Sequence, residues 1–405
     1  MLSRVEKFEA ALAQTDCDAV LVTNLKNIYY LTGFSGTEAT VFISKSRRIF
    51  LTDSRYTLIA KGVVEGFDIV ETRDAVGEIA KIIADDQLAK IGFDDEISYA
   101  YFKMLESVFA GHELVPMTAF IENLRMIKDE QEIATIRKAC QISDQAFLDV
   151  LDFIKPGQTT ELAVMNFLDA RMRQLGASGA SFDFIIASGY RSAMPHGVAS
   201  NKVIQKGETL TMDFGCYYNH YVSDMTRTVH VGQVTDEERE IYDIVLRSNQ
   251  ALIEAATAGL SRIDFDRIPR QIINDAGYGP YFSHGIGHGI GLDIHEIPYF
   301  GKSEEPIKAG MVLTDEPGLY ITDSHGIRLE NELLARNGAK NEYGQFMYFE
   351  TISLIPFDLD AINPDMLNAE DKKLLNDYHA RVYETITPLL KEDEKEFLKK
   401  YTRAI

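Results

Sequence analysis

The sequence predicts an α+β chain: an N-terminal α/β domain, a second domain built from an internal repeat, and a C-terminal helical extension. Short β-rich runs alternate with helical ones up to about residue 122. Two ten-residue stretches, 206–215 and 309–318, match at a single offset of 103 residues. Beyond residue 355 the chain becomes acidic and helical. The expected domains are therefore 1–122, 123–355 and 356–405.

Composition narrows the function classes. The 405 residues are 45% hydrophobic and 25% charged, as in an ordinary globular protein. A net charge of −21 argues against nucleic acid, because phosphate binding needs clustered Lys and Arg. It is the charge of a solvated acidic surface. No apolar run reaches the roughly eighteen residues that span a bilayer, and the N-terminus lacks a signal-peptide core. Cys17, Cys140 and Cys216 are odd in number and widely spaced, which predicts reduced thiols and a cytoplasmic protein.

The N-terminal stretch MLSRVEKFEAALAQ places Leu2, Val5, Phe8 and Leu12 at helical spacing. Residues 19–23, 40–44, 48–52 and 67–71 are rich in β-branched and aromatic residues and read as strands. Residues 58–64 and 75–89 read as helices between them, and LTGFSG (31–36) is the most glycine-rich turn. A long amphipathic helix is expected over 124–154, ending at Pro156-Gly157.

From there the repeat extends backwards. Residues 155–160 (KPGQTT) end one helix and cap the next, over 160–176. Thr257-Ala258-Gly259-Leu260-Ser261 does the same before 262–277, at an offset of 102. Residues 125–232 and 235–335 each read as helix, turn, helix and β-hairpin. One more strand, 347–357, precedes the helical tail, whose Leu, Tyr and Val residues require a surface to dock on.

Within the repeat, Gly207 matches Gly310, Asp213 matches Glu316 and Gly215 matches Gly318; each copy then adds an acid, Asp224 or Glu330. Folding the first hairpin about Tyr218-Asn219 sets Asp213 opposite Asp224. Folding the second about Asp323-Ser324 sets Glu316 opposite Glu330. Like charges facing each other are destabilising unless a cation lies between them. One such pair is most simply a solvated one; the same pair twice in a repeat points to metal. His284, His288 and His295 fall within twelve residues among glycines that permit close approach. His196 precedes the first hairpin as that cluster precedes the second. His112, His230 and His379 read as structural, and His220 and His325 as surface turn residues. Four carboxylates and an imidazole, without Cys, suit two divalent ions such as Mn²⁺, Co²⁺ or Zn²⁺. Two ions about 3.5–4 Å apart activate water and polarise a carbonyl, which is hydrolytic chemistry.

The motifs MDFG, SDMTRT, HGIGHGIGLDIHE, EPGLY and GIRLE resemble those of the pita-bread metallopeptidases, which include methionine aminopeptidase, prolidase and Xaa-Pro aminopeptidase. YLTGFSGTEA and LTDSRY are similar to creatinase- and prolidase-like N-terminal domains, so the resemblance covers nearly the whole chain. It implies that Asp213, Asp224, His288, Glu316 and Glu330 hold two metals, Mn²⁺ foremost, with Glu316 accepting a proton from the attacking water. It implies that His196 and His295 stabilise the tetrahedral intermediate, His284 lines the substrate face and Arg328 orients the ligand carboxylates. The substrates it implies are proline-containing peptides, and the C-terminal helices suggest a homodimer.

A dipeptidase must hold the free carboxylate of its substrate, a task suited to a bidentate Arg. After His295-Glu296-Ile297-Pro298 this chain has Tyr299, and its extension resembles that of aminopeptidase P. The expected activity is therefore that of an Xaa-Pro aminopeptidase, with prolidase as the alternative. A non-catalytic binding protein is a third reading, disfavoured by the complete ligand set. Two departures from the family pattern are Leu375 in a Trp-free extension and Asn331, where Asp often follows the last Glu.

Overall fold

The computed structural model describes residues 2–255, 259–342 and 344–405. Thr257 and Ala258 of the second expected turn, and Met1 of the first expected helix, lie outside the described residues. The chain forms two compact units, Met1–Arg125 and Met126–Ile405. No described helix is long and apolar enough to cross a membrane.

The first unit is built on a six-stranded sheet in the order Asp68–Glu71, Arg48–Thr52, Thr40–Ser44, Ala19–Val22, Lys90–Phe93, Glu113–Pro116. Its three central strands pair antiparallel and the outer ones add in parallel. Ala19–Val22 is buried along its whole length, which is why its sequence is continuously apolar and does not alternate. Helix Arg4–Leu12 starts at a Ser3–Glu6 capping box and buries Val5, Phe8 and Leu12. Leu2, expected on that face, lies before the helix and is exposed. The two strands not foreseen, Lys90–Phe93 and Glu113–Pro116, are four residues each and contain Gly92 and Pro116, which dilute the β pattern.

In the second unit the repeat is visible in the backbone. Helices Glu130–Phe153 and Glu161–Gln174 precede the first hairpin; Asp236–Glu254 and Arg262–Asp275 precede the second. Thr160 and Ser261 both cap through their hydroxyls, accepting from the amides of Ala163 and Asp264. The matched glycines share a left-handed conformation: φ is 78° at Gly157 and 81° at Gly259, 90° at Gly207 and 92° at Gly310. An L side chain is strained there, so the repeat keeps glycine at the same turns.

The long helix begins at Glu130, not at 124, because Asp129 and Glu132 form a capping box and the Lys128 amide bonds to the Gly310 carbonyl. Leu124 and Arg125 belong instead to a separate short helix, Phe120–Arg125.

Among the described residues four sheets carry the second unit, the smaller three-stranded one placing Cys216–Tyr218 between Gly179–Ala180 and Tyr221–Val222. Ile185–Ser188, Thr209–Phe214 and Met225–His230 form one, with Thr209–Phe214 in the middle. Glu296–Tyr299, His288–Gly289, Val312–Asp315, Asn331–Asn341 and Gly344–Thr351 form another, in that order. Gly318–Ile321 and His325–Arg328 pair as a two-stranded ribbon. The last expected strand, 347–357, leaves its ladder after Thr351, and residues 352–357 run on buried without a partner strand. Helices Ala369–Ile386 and Glu392–Tyr401 make the tail; Leu375 is fully buried in the core cluster that also holds Leu313, Leu329 and Leu333.

Candidate metal centre

The two hairpins deliver their acids by different registers. In the second, Gly318 pairs with Arg328 and Asp315 with Asn331, so Glu316 falls opposite Glu330 as the sequence spacing implies. In the first, Asp213 lies opposite Thr226, not opposite Asp224. The turn is Asn219-His220, both at positive φ (44° and 70°), one residue beyond the expected centre. Moving the centre by one residue shifts the pairing by two, so Asp224 stays on the face shared by Asp213 and Thr226. One ligand oxygen each from Asp213, Asp224 and Glu330 lie within 4.8 Å of one another.

His288 comes from a two-residue strand in the five-stranded sheet. Its Nδ1 lies 3.1 Å from the Gly289 carbonyl, which can only accept, so Nδ1 carries the proton and Nε2 keeps its lone pair. That Nε2 faces Asp224 Oδ2 at 3.6 Å and Glu316 Oε1 at 3.7 Å. Burial, then His295, hold the imidazole neutral by lowering its pKa to about 3. The lone pair of Nε2 is thus turned towards two carboxyl groups, both beyond hydrogen-bonding distance.

The carboxylates are under the same strain. Burial first, and then neighbouring acids, push Asp224 and Glu330 well above the usual carboxylate range. Burial lifts Glu316 to about 8 against the pull of Arg328. Asp213 Oδ1 is buried with no hydrogen-bond partner among the described residues. Converging carboxyl groups, an orphaned carboxylate oxygen and an imidazole lone pair turned towards them fit divalent cations, which would favour the ionised acids that burial disfavours.

A polar frame holds this set. Arg328 donates to Asp213 Oδ2 at 2.5 Å, to the Thr226 hydroxyl at 3.1 Å and to the Tyr320 hydroxyl at 2.9 Å. Thr226 in turn donates to Glu330 Oε2 at 2.7 Å. Glu332 accepts from the Asp224 amide at 2.5 Å and from the Cys140 thiol at 3.1 Å. Fully buried Arg227 binds the Glu330 carbonyl at 2.6 Å, the Asn331 side chain at 2.7 Å and the Ile355 carbonyl at 3.0 Å. Thr226, Tyr320, Glu332 and Arg227 escaped the sequence reading. Arg227 and Thr226 sit inside the SDMTRT motif and Tyr320 ends EPGLY, so the signal was their place in a motif.

His284 Nδ1 lies 2.7 Å from the Gly285 carbonyl and must donate to it; Nε2 therefore accepts from the Tyr320 hydroxyl at 2.8 Å. Burial, then Arg328, lower its pKa to about 4. His295 packs edge-on against His288 with ring centroids 4.3 Å apart, and burial lowers its pKa too. His325, expected in a surface turn, is instead buried at the start of a strand.

One cavity of about 480 Å³ is lined by Asp213, Asp224, His288, Glu316 and Glu330 and equally by His196, His284, His295 and Arg328. The structure therefore brings all nine sequence-selected residues to one place. Tyr299 lines the same cavity and is 55% exposed.

Residues 134–337 match metallopeptidase family M24, residues 4–127 the creatinase/prolidase N-terminal domain, and residues 345–405 the C-terminal region of peptidase M24. Among solved structures, an Xaa-Pro dipeptidase from Bacillus anthracis is 39% identical, with a TM-score of 0.82, covering 89% of this chain and 99% of that one. An X-Pro aminopeptidase from Thermotoga maritima is 34% identical, with a TM-score of 0.78, covering 87% of this chain and 99% of that one. An X-prolyl aminopeptidase from Caenorhabditis elegans, described as cytosolic with a di-nuclear active site, shares the fold at 23% identity and a TM-score of 0.82. It covers 99% of this chain and 70% of its own. With the pita-bread architecture and these matches, the chain belongs to metallopeptidase family M24.

Proposed function

We propose that the chain is an Xaa-Pro aminopeptidase, releasing the first residue from peptides whose second residue is proline. The observation that carries this choice is the charge of the cavity wall. Among the described residues lining it, Arg328 is the sole Lys or Arg, and it is committed to Asp213, Thr226 and Tyr320. Tyr299 stands where a dipeptidase could use a cation for the substrate carboxylate. The M24 C-terminal region, 345–405, supports the same reading, since the Caenorhabditis aminopeptidase covers nearly all of this chain. The dipeptidase reading is favoured by the 39% identity to the Bacillus anthracis enzyme.

Asp213, Asp224, His288, Glu316 and Glu330 would hold two divalent ions, Mn²⁺ being the first to test. Such ions supply Lewis acidity at the scissile carbonyl and a water made nucleophilic near neutral pH. Glu316, partly exposed at the cavity wall and ionised once the ions are held, would take up the proton of the attacking water. His196 and His295 line the cavity and donate to the oxygen on which charge develops. His284 spends its proton on Gly285 and serves to fix Tyr320 and Arg328. The substrate amine lies beside Asp213.

Assaying Xaa-Pro beside Xaa-Pro-Xaa peptides with added Mn²⁺ tests the choice. Cleavage of the longer peptides is expected; cleavage of dipeptides alone contradicts it, and no cleavage of either revives the binding-protein reading.

A further inference from the structure

One acid on the cavity wall belongs to neither the ligand set nor its frame. Ala180 pairs with Cys216, and Ile185 pairs with Asp213. Four residues, 181–184, therefore span what 214–215 spans on the neighbouring strand. This two-residue excess bulges the strand beside the metal ligand Asp213, and bulges re-aim side chains. Phe184 anchors the bulge: it is buried, its ring centroid 6.4 Å from that of Phe214 in T-shaped contact. Phe182 packs on Phe184 at 6.1 Å and faces the cavity. Asp183 between them is exposed, lines the cavity, and makes no hydrogen bond or ion pair among the described residues.

From this placement we infer that Asp183 is a specificity-determining residue, selecting peptides whose first residue is Lys or Arg. The inference rests on the peptidase reading above. With the substrate amine beside Asp213, the first side chain runs along the wall formed by Ile185, the residue opposite Asp213 in the sheet. Phe182 and Ile185 offer apolar surface for a cationic side chain's methylene stem, and Asp183 meets its charged head. The cavity's cation, Arg328, is bound elsewhere and does not compete for Asp183.

The test is the ratio of kcat/KM for Lys-Pro-Ala to that for norleucine-Pro-Ala, whose side chain matches the stem without the charge. Dipeptides with the same first residues are run in parallel, so that either exopeptidase activity supplies a substrate. The wild type should favour the lysine peptides by about three- to five-fold, the range of a solvated ion pair, and the preference should shrink with added salt. Asp183→Asn should bring the ratio close to one, mainly through KM of the lysine peptides, and Asp183→Lys should invert the preference towards Glu-Pro-Ala. Hydrolysis with a ratio that is unchanged by both substitutions overturns the inference and leaves the peptidase reading intact. Absence of hydrolysis of all the peptides overturns both.

Discussion

Thr226 shows how much one hydroxyl does in this centre. It receives Arg328 Nε and gives its proton to Glu330, so it links the guanidinium on Asp213 to an acid from the other half of the repeat. Both neighbours are buried, and each would lose a partner in Thr226→Val. Because that substitution keeps the shape, its cost falls on ligand orientation. Metal affinity should drop about 10- to 100-fold, as is usual when a ligand's supporting hydrogen bond is lost. Titration of Mn²⁺ into wild type and variant checks this; equal affinities would remove Thr226 from the account. The same scale explains why the sequence named Asp213 and Glu330 but not Thr226. Acids at matched repeat positions stand out, whereas a threonine on a β-strand is ordinary and gains meaning only from the side chains around it.

Among the elements, the C-terminal helix Ala369–Ile386 carries a testable signature. His379 is fully buried, and its Nε2 accepts the Phe357 amide at 3.1 Å. Burial, then Arg227, lower its pKa from 6.5 to about 3. The unfolded chain therefore takes up a proton below pH 6.5 that the folded chain refuses until about pH 3. Stability from this site is whole above 6.5 and is lost with acid at about 1.4 kcal/mol per pH unit. Denaturant melts of wild type and His379→Gln between pH 7 and 5 should diverge in slope by roughly that amount; parallel slopes contradict it.

At this scale the sequence was legible where pattern was local. Thr40–Ser44 and Arg48–Thr52 match the expected strands residue for residue, and Thr160 and Ser261 cap as their positions imply. It was less legible where a turn decided register. Asn219 and His220 carry no glycine to mark a left-handed turn, so the first hairpin was centred one residue early. The bulge at 181–184 gives no periodic signal, since it is an interruption of one.

For the molecule as a whole, the tail is part of the second unit's core. Leu375 joins the cluster of Leu313, Leu329 and Leu333, which lies under the strands that flank the centre. Leu375→Ala should cost about 2–5 kcal/mol of stability, read from denaturant unfolding. A cost below about 0.5 kcal/mol, the surface range, would mean the tail is peripheral. The duplicated hairpins are the other whole-molecule feature: two halves of one repeat each present two acids, and His288 from the intervening segment faces Asp224 and Glu316. The central claim is that this cage holds two divalent ions. Calorimetric titration of Mn²⁺ into metal-stripped protein tests it most directly. The account predicts two equivalents bound per chain, with protons released as the buried acids ionise, and weaker binding in His288→Ala. No saturable binding, or binding untouched by that substitution, would contradict it.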